Sequence, residues 1–261
     1  MSDAVLLERD GGVATLTFNR PDVRNAMTVE LTEAFSEAIE SVRGDPKVRA
    51  VVVTGAGKAF CAGGDLSWIQ PGPGADVPAI RAKMRAFYPR FLAIRSLDVP
   101  TIAAVNGAAI GAGLCVAMAC DLRLAAEDAK LSTAFLRLGM HPGMAATFLL
   151  TRLVGTARAA ELFFTAKTVD GREAERIGLV NRAVPAGSLA DEVRALALQI
   201  AANAPIPMGM TKRAIYLAER ADLEAMLEYE GLAQPITMAT ADLLEGLEAA
   251  KTKRPPNFEG R

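Results

Sequence analysis

The chain has 261 residues, 51% of them hydrophobic and 5% aromatic, with 29 Lys plus Arg against 30 Asp plus Glu for a formal net charge of −1. Such a composition describes a compact, helix-rich globular protein and not a disordered one. The balanced charge, without a dense basic stripe, argues against a nucleic-acid or membrane-surface binder.

Length allows one large core with an appended region. The start, "MSDAVLLERDGG", is acidic and its apolar run is too short for a signal peptide. The apolar stretch over 103–119 is broken by Asn106 and glycines, so no membrane span and a cytoplasmic location are expected. Cys61, Cys115 and Cys120 are odd in number and lie among apolar residues, which suits buried thiols better than a disulfide frame. With a single histidine, no metal site is expected.

In chain order, "AVLLER" and "VATLTFN" flank Asp10, Gly11 and Gly12, a hairpin signal in which the glycines supply positive φ. Thr28 can cap a helix whose apolar residues Leu31, Ala34, Phe35, Ala38, Ile39 and Val42 follow the helical period. "RAVVVTG" then reads as a buried strand. After "GKAFCAGGDLSWI", the loop "QPGPGADVP" precedes an amphipathic helix over 79–97. "TIAAV" is a buried strand, "NGAAIGAG" a glycine-rich turn, "LCVAMAC" a buried helix and "DLRLAA" a short strand. From Gly143 the pattern is mainly helical, interrupted by a strand in "LVNRAV". The region 205–253 reads as helical throughout, with a kink at Pro235, before the polar tail "KRPPNFEGR".

The turns "CAGGDL" and "GAAIGAGL" each follow a β-like run and precede a helix. Backbone N–H groups at such helix entrances are unpaired, and the helix dipole favours negative charge there. Two of them facing one point make an oxyanion hole that polarises a carbonyl and holds an enolate. Taken singly, such a turn signals only tight geometry or close packing. Neither has the spacing of a phosphate-binding or dinucleotide loop.

The strings "NRPDVRNAM", "GAGKAFCAGGDL", "PTIAAVNGAAIGAGLCVAMACDLRLAAEDAKL", "LGMHPGMAATFLLTRLVG", "AERIGLVNRAV" and "TKRPPNF" stand in an order and at spacings that resemble the enoyl-CoA hydratase/isomerase (crotonase) superfamily over nearly the whole chain. The resemblance implies an α/β, crotonase-like (ClpP/crotonase) spiral of β-β-α units. It implies a core with the acyl-CoA site over 1–200 and a helical oligomerisation region over 201–261, forming a homotrimer or a dimer of trimers. The implied partner is an acyl-CoA thioester, with no cofactor beyond the CoA carried by the substrate. It implies oxyanion-hole N–H groups at Gly64 and Ala112, with Arg24, Ala26, Ala62, Asp65 and Leu66 bordering CoA. Bottom-up, Asp65 reads as a cap for the helix after its turn, and Arg24 either meets a CoA phosphate or is a solvated arginine.

Members that hydrate the double bond use two glutamates. Their positions here hold Cys115 and Phe135, and a third position, an aspartate in some isomerases and dehalogenases, holds Gly143. Phe135 therefore lines the acyl pocket without transferring a proton. His141 is either an acid or base, given an unperturbed pKa of about 6.5, or a hydrogen-bonded turn group. Arg137, Tyr88, Trp68 and Ser67 are the other polar candidates for reaching the pocket; the resemblance puts Tyr88 on a helix that borders it, and helix packing explains Tyr88 equally well. The acids nearest in sequence, Asp121, Glu127 and Asp128, match structural or exposed positions. The expectation is an enzyme, a lyase or isomerase acting through an enolate by an atypical reaction such as decarboxylation. The alternative is a non-catalytic acyl-CoA-binding subunit or scaffold.

Overall fold

The computed structural model describes residues 2–65 and 72–261. The chain opens with the expected hairpin, β1 (Val5–Asp10) and β2 (Val13–Phe18), turned by Gly11 and Gly12 at φ 57° and 82°. Thr28 caps α1 (Val29–Val42) by accepting from the Leu31 N–H, and all six predicted apolar positions of this helix are buried.

Three β-β-α advances follow, each leaving one strand in each of two sheets. β3 (Ala50–Gly55) is followed by β4 (Ala59–Cys61) and α2 (Val77–Leu92). β5 (Thr101–Val105) is followed by β6 (Ala108–Ile110) and α3 (Ala112–Ala119). β7 (Leu122–Ala126) is followed by β8 (Leu131–Ser132), with α4 (Ala146–Val154) and α5 (Thr156–Thr165) beyond it. A six-stranded sheet runs β1-β2-β3-β5-β7-β10, closed by β10 (Arg182–Val184), and a four-stranded sheet runs β4-β6-β8-β9, closed by β9 (Thr168–Val169). Successive turns of the spiral pair in parallel, as β3 with β5, β5 with β7, and β4 with β6. The architecture is the α/β spiral of β-β-α units that the resemblance implies.

The core holds Phe18, Phe35, Phe60 and Phe91, all fully buried, with Phe35 and Phe91 stacked at 5.2 Å and Phe18 5.3 Å from Phe35. Aromatic contacts of this kind contribute beyond the area they remove from water. After α6 (Gly171–Arg176), α7 (Leu189–Ala201) packs across the six-stranded sheet.

Two expectations need correction, and two strands had none. "NGAAIGAG" is not all turn, because Ala108–Ile110 forms β6, recruited by β4 and β8 on either side. The strands β8 and β9, of two residues each, carry no period of their own. The region 205–253 is three helices, α8 (Pro205–Ala218), α9 (Leu223–Met238) and α10 (Ala241–Thr252). The breaks come where Asp222 and Thr240 cap the next helix, while Pro235 is carried within the last turn of α9. Among the described residues no helix is long and apolar enough to cross a membrane.

Candidate active site

The site forms where the loop after β2 meets the turns after β4 and β6. In "RNAM", Arg24 and Asn25 take left-handed φ of 54° and 56°, and Asn25 is fully buried. The Asn25 side chain accepts from the Arg20 N–H (2.8 Å) and donates to the Ala56 (3.1 Å) and Ala59 (2.8 Å) carbonyls. Asparagine tolerates this conformation better than most residues. Its amide ties the loop to the strand that leads into the first glycine turn. Composition did not single it out, and the available signal was its place in the "RNAM" string.

Thus pinned, the loop runs beside the turn. The Ala62 N–H donates to the Arg24 carbonyl (3.0 Å), the Met27 N–H donates to the Gly63 carbonyl (2.8 Å), and Met27 bridges Gly64 in parallel. Arg24, Ala26, Ala62, Gly64 and Asp65 are therefore brought together. Arg24 is exposed, and Ala26, Ala62 and Asp65 are half-buried. Leu66, Ser67, Trp68 and the helix that Asp65 was expected to cap lie outside the described residues.

The two glycine turns abut, and the glycines are what allow it. A Cβ on Gly63, which sits at φ 95°, would lie 2.6 Å from the Ile110 carbonyl oxygen and 3.5 Å from the Ala112 nitrogen. A Cβ on Gly113 would lie 2.2 Å from the Cys61 carbonyl oxygen. Gly111 (φ 53°) turns the chain into α3, so Ala112 is the first residue of a helix without a side-chain cap. Ala112 itself has negative φ, so its Cβ brings no strain. Among the described residues, neither the Gly64 nor the Ala112 N–H is taken by another backbone group. Two open amides on adjoining turns, one of them at a helix entrance, can hold an oxygen that gains negative charge.

The three positions where the resemblance implies acids in related enzymes, here Cys115, Phe135 and Gly143, lie around this entrance. Cys115 is fully buried one turn into α3, its Sγ 3.3 Å from the Gly111 carbonyl and 3.7 Å from that of Gly143. Burial first, with Cys61 nearby, pushes its thiol well above the ordinary range. Cys61 and Cys120 are raised by burial to about 12. All three are protonated at neutral pH and are packing groups, not nucleophiles. The Phe135 ring is 8% exposed and faces Gly111, whose Cβ would meet its edge at 3.8 Å. Gly143 lies under Tyr88 of α2, and a Cβ there would be 2.8 Å from the phenol oxygen.

His141 is exposed, and its Nδ1–H donates to the Pro142 carbonyl (2.8 Å). The following helix begins only at Ala146, after Met144 and Ala145 in left-handed conformation. Arg137 is exposed. Glu127 pairs with Arg172 (2.7 Å), Asp128 is exposed, and Asp121 is tied into the packing of α8.

The sequence matches the family model "Enoyl-CoA hydratase/isomerase" over residues 8–261. It is 38% identical over 259 residues to a probable enoyl-CoA hydratase of Mycobacterium bovis, covering 99% of each chain. It is 35% identical over 262 residues to the 1,2-epoxyphenylacetyl-CoA isomerase of Escherichia coli, covering 100% of each. Among solved structures, the enoyl-CoA hydratase of Bacillus anthracis superposes with a TM-score of 0.93 at 34% identity, covering 99% of this chain and 100% of that one. Fold, motif order and full-length similarity agree, and the chain belongs to the enoyl-CoA hydratase/isomerase family.

Proposed function

We propose that this chain binds an acyl-CoA thioester and carries it through an enolate whose oxygen is held by the Gly64 and Ala112 N–H groups. The observation that carries this reading is the close approach of the two glycine turns, where a Cβ on Gly63 would lie 2.6 Å from the Ile110 carbonyl oxygen and 3.5 Å from the Ala112 nitrogen. Both named relatives, a hydratase and an isomerase, are named for CoA thioesters. Removing one such donor typically costs on the order of 10²–10³ in rate. In the proposed arrangement Arg24, Ala26, Ala62, Asp65 and Leu66 border the CoA moiety and Phe135 lines the acyl end. The substrate brings its own CoA, and no further cofactor enters the scheme.

The reaction is a lyase or isomerase reaction distinct from two-glutamate hydration, because Cys115 and Phe135 transfer no proton. His141 had two readings, and its exposure and its bond to Pro142 favour the turn group. Loss of turnover with retained acyl-CoA binding in His141→Ala would restore it as an acid or base.

We further propose that the core over 1–200 holds the site, that 201–261 assembles copies of the chain, and that it works in the cytoplasm as a homotrimer or dimer of trimers. Leu223, Leu227, Leu232 and Ile236 of α9 are each more than half exposed, more apolar surface than one helix ordinarily leaves to water. A second copy presenting the same face is the proposed occupant.

The test is to incubate purified protein with crotonyl-CoA and follow loss of the conjugated thioester absorbance, with binding measured calorimetrically. Binding with negligible hydration is expected. Hydration at a rate ordinary for the family would overturn the claim about the missing glutamates. Binding without turnover of any enoyl-, dienoyl-, β-keto- or malonyl-type thioester would favour a non-catalytic acyl-CoA-binding subunit or scaffold.

A further inference from the structure

Among the described residues the Tyr88 hydroxyl has no hydrogen-bond partner, and since no fully buried side-chain polar atom is left unsatisfied there, this oxygen is not sealed within the packing. It lies against Gly143, where a Cβ would come within 2.8 Å of it. The Gly143 carbonyl in turn faces the Cys115 thiol, one helical turn beyond the Ala112 amide. A phenol O–H therefore stands where the side chain of residue 143 would begin. Burial, followed by proximity to Cys115, raises its pKa above the ordinary tyrosine value, so it is a neutral donor at pH 7.

Resting on the enolate reading above, we propose that Tyr88 is a catalytic acid that protonates Cα of the thioester enolate, and that the enolate arises by loss of CO2 from a β-carboxyacyl thioester. The step balances without a protein base. The bond between Cα and the carboxylate carbon breaks, CO2 leaves, and the electron pair passes into the thioester enolate held at Gly64 and Ala112. A Cα–H bond then forms with the Tyr88 proton, and the phenolate takes a proton from water.

The same apolar surroundings favour this substrate class. A carboxylate placed beside the Phe135 ring and the Cys115 thiol loses hydration, and its departure as neutral CO2 relieves that cost. A substrate that needed Cα–H abstraction would need a base, and Cys115, Phe135 and Gly143 supply none.

The experiment uses malonyl-CoA as probe with the full-length protein, measuring CO2 release, kcat and KM separately, and thermal stability. Wild type should release CO2, and Tyr88→Phe should lower kcat by about 10²–10⁴ with KM and melting temperature kept, the span usual for general acid catalysis. Gly143→Ala, whose new methyl displaces the phenol oxygen without removing it, should lower kcat as well. The double variant should fall no further than Tyr88→Phe alone, since both act on one group. Unchanged kcat in Tyr88→Phe, or wild type that binds malonyl-CoA without releasing CO2, overturns the proposal. Failure of the wild type to bind either malonyl-CoA or crotonyl-CoA overturns the acyl-CoA reading beneath it.

Discussion

Two phenols in this chain sit in opposite electrostatic settings. Tyr216 of α8 donates its hydroxyl to Asp121, whose carboxylate also accepts from the Thr101 N–H (2.7 Å), the Thr101 hydroxyl (2.9 Å) and the Lys212 ammonium (2.8 Å). Arg95 stacks on the Tyr216 ring at 3.7 Å and holds Glu219 with a guanidinium nitrogen 3.1 Å from each carboxylate oxygen. No hydrogen-bond acceptor holds the Tyr88 hydroxyl among the described residues; it lies against Gly143 and within electrostatic reach of the Cys115 thiol. The first region spends its polar groups on one another and is structural. The second leaves a hydroxyl uncommitted, which is what a reacting group requires. Of two such phenols, the one whose hydrogen bond is not already made within the protein is the better candidate for a reacting group.

The largest expected effect on stability lies in the satisfied region. Lys212 is 7% exposed and gives its ammonium to Asp121 and to the Val99 carbonyl (2.9 Å). Lys212→Met removes the cation and leaves a half-buried carboxylate without its counter-charge. Breaking one partner of such a pair costs about 3 kcal/mol or somewhat more. The expected result is a fall of several degrees in melting temperature, with α8 loosened from the core, measured by calorimetry and by amide exchange in α8. An unchanged melting temperature would mean that Asp121 is held by Thr101 and Tyr216 alone.

Tyr216→Phe comes next and crosses directly with Tyr88. It deletes one hydrogen bond to a charged group, worth about 1.5–3 kcal/mol. Stability should fall while malonyl-CoA turnover per folded molecule stays at the wild-type value. Tyr88→Phe should do the reverse. If both variants changed the same property, the distinction between a committed and a free phenol would collapse.

A smaller effect is expected at Cys115. Its thiol faces two carbonyl oxygens, so Cys115→Ser keeps a donor in place and should cost about 1 kcal/mol or less. Because burial holds all three thiols protonated, the native protein should resist a thiol-specific disulfide reagent, and all three should react after unfolding. Rapid labelling of Cys115 in the native state would return it to consideration as a nucleophile.

The extent to which these regions could be read from sequence follows the range of the interactions that build them. The hairpin, α1 and the long strands carry local signals, namely paired glycines, an N-cap threonine and unbroken apolar runs, and they form where those signals stand. The strands β6, β8 and β9 are two or three residues long and exist because neighbouring turns of the spiral offer edges to pair with, information that no short window holds. The second glycine turn was legible because a helix entrance has a local signature, and α3 begins there at Ala112. The abutment of the two turns at Gly63 and Ala112 was expected from family resemblance, and composition said nothing of it. Asn25 escaped notice because the two carbonyls to which its amide donates lie more than thirty positions away. The meeting of Tyr88 with Gly143 depends on how α2 crosses the loop before α4, and no spacing rule joins residues so far apart.

The smallest effect is expected where a carboxylate is committed but exposed, which separates commitment from burial. Glu245 of α10 accepts both guanidinium nitrogens of Arg254 (2.6 and 2.8 Å) and the Asn257 N–H (2.7 Å), which hold its pKa down to about 2. A carboxyl whose folded pKa lies below its unfolded value of 4.5 adds stability that is complete above that value and is lost as pH falls towards about 2. The Glu245 carboxyl should therefore stay ionised through pH 4 in an NMR titration. Glu245→Gln should flatten the acid limb of the stability profile between pH 4.5 and about 2, and added salt should shrink the difference because the pair is open to solvent. A Glu245 that titrates near 4.5 would mean that the clasp between α10 and the C-terminal tail is too loose to bias its ionisation, leaving Asp121 as the only one of these two carboxylates whose partners contribute to the fold.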